Sequence, residues 1–262
     1  GTFTKPLEFA ARDSLAGEDR TRFMGTLDAT IASLGPTGTY LATFGDHDVD
    51  RLTSVIGDSL PKAKLAAGML MGQPFSPIIY NGDEIGMRGF KSYAYNSDAN
   101  DIPNREPFKW NAVAGSPMSN YYSLNTAVYS ARYEHDYDGR SVEEQTGVQG
   151  SLLETYRQLI DIRKHTRAIN SGSYAAIPCA DLAIAAFDRA YNGSHVVCVF
   201  NLSGVAKDVS LDLSNLGLAG RAAVDLLDQT AQPAVTNSNE ASYPVHLGAY
   251  SMRYLSFVEN DD

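Results

Sequence analysis

The apolar positions of this chain change period partway along it. In the first half they recur at near-helical spacing and alternate with short β-type runs; in the second half they alternate residue by residue in short segments. Thr2 to Phe9 reads as mildly β-like, and Asp13 to Asp19 as a polar loop. A helix follows on Phe23, Leu27, Ile31 and Leu34, with Asp19 as its cap and Gly35-Pro36 as its stop. Tyr40–Phe44 reads as a strand. Lys62 to Met71 reads as a helix entered through Pro61, with Leu65, Met69 and Leu70 on one face and Gly72 and Pro74 at its end. Ile78-Ile79-Tyr80 reads as a third, very short strand leading into the turn Asn81 to Gly86. Strand, helix, strand, helix, strand is the alternation of a parallel sheet wound with helices.

From Gly89 to Gly150 some ~60 residues carry no sustained period, far longer than an ordinary connection, which marks a functional or poorly ordered segment. Tyr93, Tyr95, Trp110, Tyr121, Tyr122, Tyr129, Tyr133 and Tyr137 are set there among Asn, Asp, Arg and Ser. That mix suits stacking on sugar faces, and it equally suits a loop packed by its own aromatics. Ser151 to His165 is the clearest helix, with a stripe of Leu152, Leu153, Tyr156, Leu159 and Ile160 and a capping box from Ser151 to Glu154. Beyond Gly172 the runs Leu182–Phe187, His195–Asn201, Val209–Leu213, Ala222–Leu227, Tyr243–Leu247 and Ser251–Val258 are separated by Gly-containing turns, the pattern of an antiparallel sandwich. A domain boundary is therefore expected near Asn170, dividing residues 1–170 from 171–262.

The net charge of -10 argues against a nucleic-acid surface and against an anionic membrane, since both need a basic patch. No apolar run reaches the roughly 18 residues of a membrane span, and no signal-peptide pattern stands at the N-terminus. The start at Gly1 is compatible with a mature secreted protein, a processed fragment or a recombinant segment. Localisation stays open, with a secreted or periplasmic setting favoured slightly over a cytoplasmic one. Cys179 and Cys198 fit one bridge or two free thiols, and free thiols are preferred.

The candidate chemistry lies just after the Tyr40–Phe44 strand. Asp46-His47-Asp48-Val49-Asp50-Arg51 packs three acids, a histidine and an arginine into six positions, at the place where barrel enzymes carry catalytic groups. Alone it reads as a solvated acidic turn. A metal site would need further ligands, and the other histidines are isolated, so no metal is expected in this chain.

Phe44-Gly45-Asp46-His47-Asp48, with Arg51 after it, resembles the Phe-x-x-Asn-His-Asp signature of the α-amylase family, glycoside hydrolase family 13. Gly72-Gln73-Pro74 and Pro77 to Gly86 resemble its eighth-strand signature, and Asp101 to Trp110 is similar to its Arg-x-Pro-Met-x-Trp stretch. The resemblance spans essentially the whole chain in the family's order. It implies the C-terminal part, about strands 6 to 8, of a (β/α)8 barrel followed by the antiparallel β-sandwich domain. It further implies that Asp48 is the transition-state stabiliser, that His47 and Arg51 bind sugar, and that Asp101 and Arg105 are more distant sugar contacts. Asp46 departs from the family's usual Asn. Asp83 and Glu84 read as structural.

The family's retaining reaction uses two further carboxylates on the fourth and fifth strands, and neither motif stands before Phe44. The expectation is an α-glucan or maltooligosaccharide hydrolase with accompanying transglycosylation, completed by an N-terminal segment and inactive without it. Calcium, common in the family, would bind through that upstream part. The alternative is a non-catalytic amylase-like module that binds a glycan or a protein.

Overall fold

The computed structural model describes residues 2–34, 39–94, 97–113, 115–119 and 133–258. Three strands, β1 (Thr2–Phe3), β2 (Tyr40–Ala42) and β3 (Ser76–Pro77), form a parallel sheet in that order, with Thr2 opposite Tyr40 and Leu41 opposite Ser76. Between β1 and β2 run α1 (Lys5–Gly17) and α2 (Thr21–Ser33); between β2 and β3 run α3 (Leu52–Val55) and α4 (Leu60–Gly72). The strand-helix alternation follows the hydrophobic pattern; beyond the short α3, which the pattern does not predict, it differs in two places.

The first is α1, which takes up most of the β-like run expected over Thr2 to Phe9 and of the polar loop expected over Asp13 to Asp19, leaving only Thr2–Phe3 as a strand. Pro6 occupies its first turn, and Leu7, Ala11 and Leu15 recur every fourth residue on its buried face. The pattern is hard to see because the same helix also buries the charged Glu8 and Arg12. The second is β3, which lies at Ser76–Pro77 with Ile78 N–H donating to the Ala42 carbonyl at 2.8 Å, rather than at Ile78–Tyr80. Proline has no N–H for a ladder and is accepted here because β3 is an edge strand. The N-cap of α2 is Arg20, which makes no side-chain cap bond, and not the expected Asp19; Asp19 stands one residue before it, its carboxylate accepting from Thr21 N–H at 2.7 Å, and the Gly35-Pro36 stop lies outside the described residues.

After β3 the chain forms a long 3-10 segment (Asp98–Arg105), then α5 (Val142–Gln145), α6 (Leu152–His165) and α7 (Arg167–Ser171). Ser151 caps α6, accepting from Glu154 N–H, but Glu154 turns back to Gly147 N–H instead of closing the expected box. The full capping box is Ser141 with Glu144 on α5.

The remaining strands are β4 (Ser173–Ala176), β5 (Ile184–Tyr191), β6 (Ser194–Asn201), β7 (Lys207–Leu211), β8 (Ala222–Asp225), β9 (Ala231–Gln232), β10 (Tyr243–Leu247) and β11 (Met252–Val258). They form a six-stranded sheet in the order β4-β5-β6-β11-β8-β9 and a two-stranded sheet of β7 and β10, all pairs antiparallel. Strands β4 and β9 escape the sequence pattern because they are short and largely exposed.

The two faces of the large sheet do different work. Ile184, Ala186, Val197, Val199 and Phe257 pack with Leu211, Tyr243, Val245 and Leu247 of the small sheet. The alternate residues Ala185, Phe187, Val196, Cys198 and Phe200 join one apolar cluster with Leu65, Met69, Leu159 and other residues of the parallel unit. This explains the unbroken run Val196-Val197-Cys198-Val199-Phe200: a central strand buried on both sides shows no alternation. Cys179 and Cys198 are both free thiols, and burial pushes the Cys198 thiol far up, leaving it inert. Among the described residues no helix is long and apolar enough to cross a membrane.

Helix α4 is buried along nearly its whole length between α6 and the large sheet, and its last carbonyls are taken by two buried arginines. Arg163 donates to the carbonyls of Met71 (2.6 Å), Gln73 (2.9 Å) and Phe75 (2.9 Å). Arg189 donates to those of Gly72 (2.8 Å), Gly172 (2.9 Å) and Ser173 (3.0 Å). At Gly172 a Cβ would fall 2.2 Å from the Ala168 carbonyl and 2.7 Å from that of Ala190, and neither backbone atom can yield cheaply. Gly172→Ala is expected to destabilise the protein by about 1–3 kcal/mol, seen as a melting midpoint lowered by several degrees; an unchanged midpoint would show that the junction relaxes freely.

Candidate active site

Strand β2 delivers the chain to the site. Beyond Ala42, Phe44 is buried edge-on against Phe23 at 6.1 Å, and Thr43 Oγ1 donates to the Gly45 carbonyl at 2.6 Å. Gly45 lies close to Asp83: a Cβ there would fall 2.9 Å from Asp83 Oδ2, so a larger residue would have to displace that carboxylate. The loop then closes on itself, Asp46 Oδ1 accepting from Asp48 N–H at 2.7 Å.

Asp48 is 60% and His47 64% exposed, with His47 Nε2 3.3 Å from Asp48 Oδ1. The long connection supplies the cations around them. Arg105, ending the 3-10 segment, donates from Nη2 to Asp48 Oδ1 (2.9 Å) and Asp101 Oδ2 (3.1 Å), and from Nε to the His47 carbonyl (2.8 Å). Lys91 ion-pairs with Asp101 Oδ1 at 2.7 Å and donates to the Asp48 carbonyl at 3.2 Å; the Asp101 carboxylate holds the Lys91 ammonium above its usual range. Four of the expected residues, His47, Asp48, Asp101 and Arg105, are thus brought together.

Arg51 is not with them, which corrects the expectation of a direct sugar contact. Its side chain is 0% exposed, stacked 4.4 Å from the Tyr80 ring centre, with Nη1 donating to the Asn81 carbonyl and 3.9 Å from Asp83 Oδ1. It turns inward because the next helix begins at Leu52 and its N–H is held by the Gly89 carbonyl at 2.9 Å. Arg12 reaches the same region from α1, donating to the carbonyls of Phe44 and Asp50. Asp83 is therefore internal, and Glu84 accepts from Gly82 N–H at 2.8 Å within the turn, as the structural reading expects. Lys5 and Lys91, which no local motif marks, are the charged neighbours that sequence reasoning missed.

The connection bearing Asp101 and Arg105 is fixed by buried charge. Arg88 N–H donates to Glu134 Oε1 (2.6 Å), and the Arg88 side chain pairs with Asp138 (2.9 Å). Buried Lys109 ion-pairs with Asp138, and Glu106 accepts from the N–H groups of Tyr133 (2.6 Å) and Glu134 (3.2 Å). Of the aromatics, Tyr93 is 87% exposed and Tyr137 and Trp110 are also exposed, whereas Tyr133 packs on Phe90; Tyr95, Tyr121, Tyr122 and Tyr129 lie outside the described residues.

Asp46, His47 and Asp48 each bring an atom within 4.8 Å of the others. Lys5 already pairs with Asp46 and Arg105 with Asp48, so the donor set does not fit a divalent cation such as calcium. The same pairing of Asp46, Asp48 and Asp101 with Lys5, Arg105 and Lys91 suits an uncharged polyol that accepts and donates hydrogen bonds.

Parallel strands alternating with helices, with polar groups after the strand β2 and an antiparallel sandwich following, are the arrangement of part of an α/β barrel with a trailing β-domain. The chain belongs to the α-amylase family: the family described as alpha amylase, catalytic domain, matches residues 18–172, and the maltogenic amylase C-terminal domain matches 174–253. It is 27% identical over 206 residues to alpha-amylase 3 of Dictyoglomus thermophilum, covering 78% of this chain and 38% of that protein. It is 26% identical over 218 residues to a trehalose synthase of Pimelobacter sp., covering 80% and 36%. An α-amylase from H. orenii shares the fold with a TM-score of 0.73 at 23% identity, over 98% of this chain and 49% of that one. The chain thus spans half or less of the length of these relatives, and its fold is the C-terminal part of the family's barrel with the sandwich domain.

Two buried carboxyls bear on pH. Burial pushes Asp83 and Glu134 each up to about 7, against the pull of Arg51 and Arg88. In the unfolded chain both ionise near pH 4, so between about pH 4 and pH 7 the native state holds protons the unfolded state has released, and their stabilisation is lost as pH rises. The melting midpoint is expected to fall from pH 5 to pH 7.5, with a shallower slope in Asp83→Asn/Glu134→Gln; parallel slopes would show that neither carboxyl holds a proton in the native state.

Proposed function

We propose that this chain is the C-terminal part of a retaining α-glucan hydrolase of the α-amylase type, cleaving α-1,4-glucosidic bonds with accompanying transglycosylation. One observation carries the reading: the Asp48 carboxylate, beside His47 at the C-terminal end of β2, is held outward and solvent-accessible by Arg105. In a reaction passing through an oxocarbenium-like transition state, a fixed carboxylate stabilises the positive charge that develops at the sugar ring, and its benefit rises as charge appears. His47 hydrogen-bonds hydroxyls of the same sugar. Asp101 and Arg105 hold the wall beside it, and Arg51 acts from beneath by fixing the turn that carries Asp83.

The nucleophile and the acid/base come, on this reading, from an N-terminal segment. Three parallel strands cannot close a barrel. Strands β1 and β3 each pair only with β2 among the described residues, leaving open edges, and Phe3 on β1 is 55% exposed. A covalent glycosyl-enzyme can be intercepted by a sugar as well as by water; a trehalose synthase among the relatives supports that branch.

The test is activity on maltooligosaccharides. This chain alone is expected to hydrolyse none, and the enzyme completed by its upstream segment is expected to be active, losing on the order of 10²-fold or more in kcat with Asp48→Asn. Hydrolysis by the isolated chain, or a completed protein that binds sugar without cleaving it, would overturn the proposal; the latter would favour a glycan-binding module.

A further inference from the structure

The departure of Asp46 from the family's Asn adds a carboxylate one residue from His47 and two from Asp48, and the structure gives that charge a specific partner. Lys5, at the start of α1 and directly after β1, ion-pairs with Asp46 and, at 2.9 Å, with Glu8. Glu8 is completely buried, whereas the Lys5 side chain is about half exposed. One ammonium therefore sits between an internal carboxylate of the helix and an active-site loop. Asp46 uses its other oxygen, Oδ1, to accept from Asp48 N–H at 2.7 Å, fixing the backbone that aims the Asp48 side chain.

An Asn amide oxygen could accept the same N–H without any counterion, so the turn by itself does not call for a charge at this position. The charge does something an amide cannot: it ties the loop after β2 to Lys5 on the neighbouring strand-helix unit by a charge-assisted contact. The need for a cation is set by the surroundings. Asp46 and Asp48 have carboxylate oxygens within 4.8 Å of each other, and Asp50 follows two residues later. The positive groups Lys91 and Arg105 are committed to Asp101 and Asp48. Without Lys5, Asp46 would repel Asp48 and the loop would lose its anchor on α1.

We propose that Lys5 and Asp46 are positioning residues for the reaction proposed above: Lys5 holds Asp46, and Asp46 holds Asp48 in register. Since Lys5 serves two carboxylates, the catalytic and structural parts of its role separate. In the completed enzyme, Lys5→Met is expected to lower kcat on maltooligosaccharides by roughly 10- to 10²-fold, with a smaller change in KM, and to lower the melting midpoint. Adding Asp46→Asn, which removes the uncompensated charge beside Asp48, restores most of kcat while the midpoint stays low. Adding Glu8→Gln instead restores the midpoint but not kcat, and Lys5→Arg keeps most of both. A Lys5→Met enzyme with kcat within about twofold of wild type, or recovery of kcat by Glu8→Gln rather than Asp46→Asn, would overturn the proposal. A wild type that cleaves no glucan would overturn the functional reading instead. The Lys5–Asp46 contact is then judged by hydrogen exchange of the Asp48 N–H, expected to be faster in Lys5→Met and slowed again by adding Asp46→Asn, and an exchange rate unaffected by Lys5→Met would reject it too.

Discussion

The end of α4 is the point on which the rest of the structure depends. A helix terminus leaves carbonyls without intrahelical partners, and this one is sealed between a parallel unit and a sheet, where water is not at hand. Arg163 from α6 and Arg189 from β5 supply the donors, and their positive charge also suits the negative end of the helix. Burial lowers both guanidinium pKa values, that of Arg189 to about 10, which still leaves it charged at neutral pH. Because the same two side chains hold Gln73, Phe75, Gly172 and Ser173, they fix where β3 begins and where the sandwich attaches.

The candidate site is built outward from that frame by a second set of buried charges. Arg51 and Arg12 hold the underside of the loop after β2, and Arg88, Glu134, Asp138 and Lys109 hold the long connection. Between these two anchored pieces Arg105 meets Asp48. An exposed ion pair is ordinarily weak. Here its geometry is imposed from both sides, so the pair does not have to supply its own ordering.

Much of this was legible along the chain. Phe23, Leu27 and Ile31 gave α2, and the stripe on Leu152, Leu153, Tyr156 and Leu159 gave α6, because each buries one face at helical spacing. Tyr243–Leu247 was found at its observed limits because the strand alternates buried and exposed positions. Asp48, His47, Asp101 and Arg105 were legible through their motifs, and they do meet. Helix α1 was obscured by buried Glu8 and Arg12, whose burial depends on partners far along the chain: Arg12 donates to Phe44 and Asp50.

What the amino-acid order determined by itself is local: which segments have an apolar face, where proline and glycine interrupt them, and which polar residues are gathered after β2. Tertiary structure decided which charges are inside. Arg51 stands three positions from Asp48 and looks like part of the same cluster, yet packing against Tyr80 and the Asn81 carbonyl takes it into the interior. Lys5 and Lys91 carry no motif and arrive at the cluster from 41 and 43 positions away, at Asp46 and Asp48 respectively. The physical reason is that a side chain's desolvation and its counterion are properties of the folded surroundings, and no pattern of neighbours along the chain encodes them.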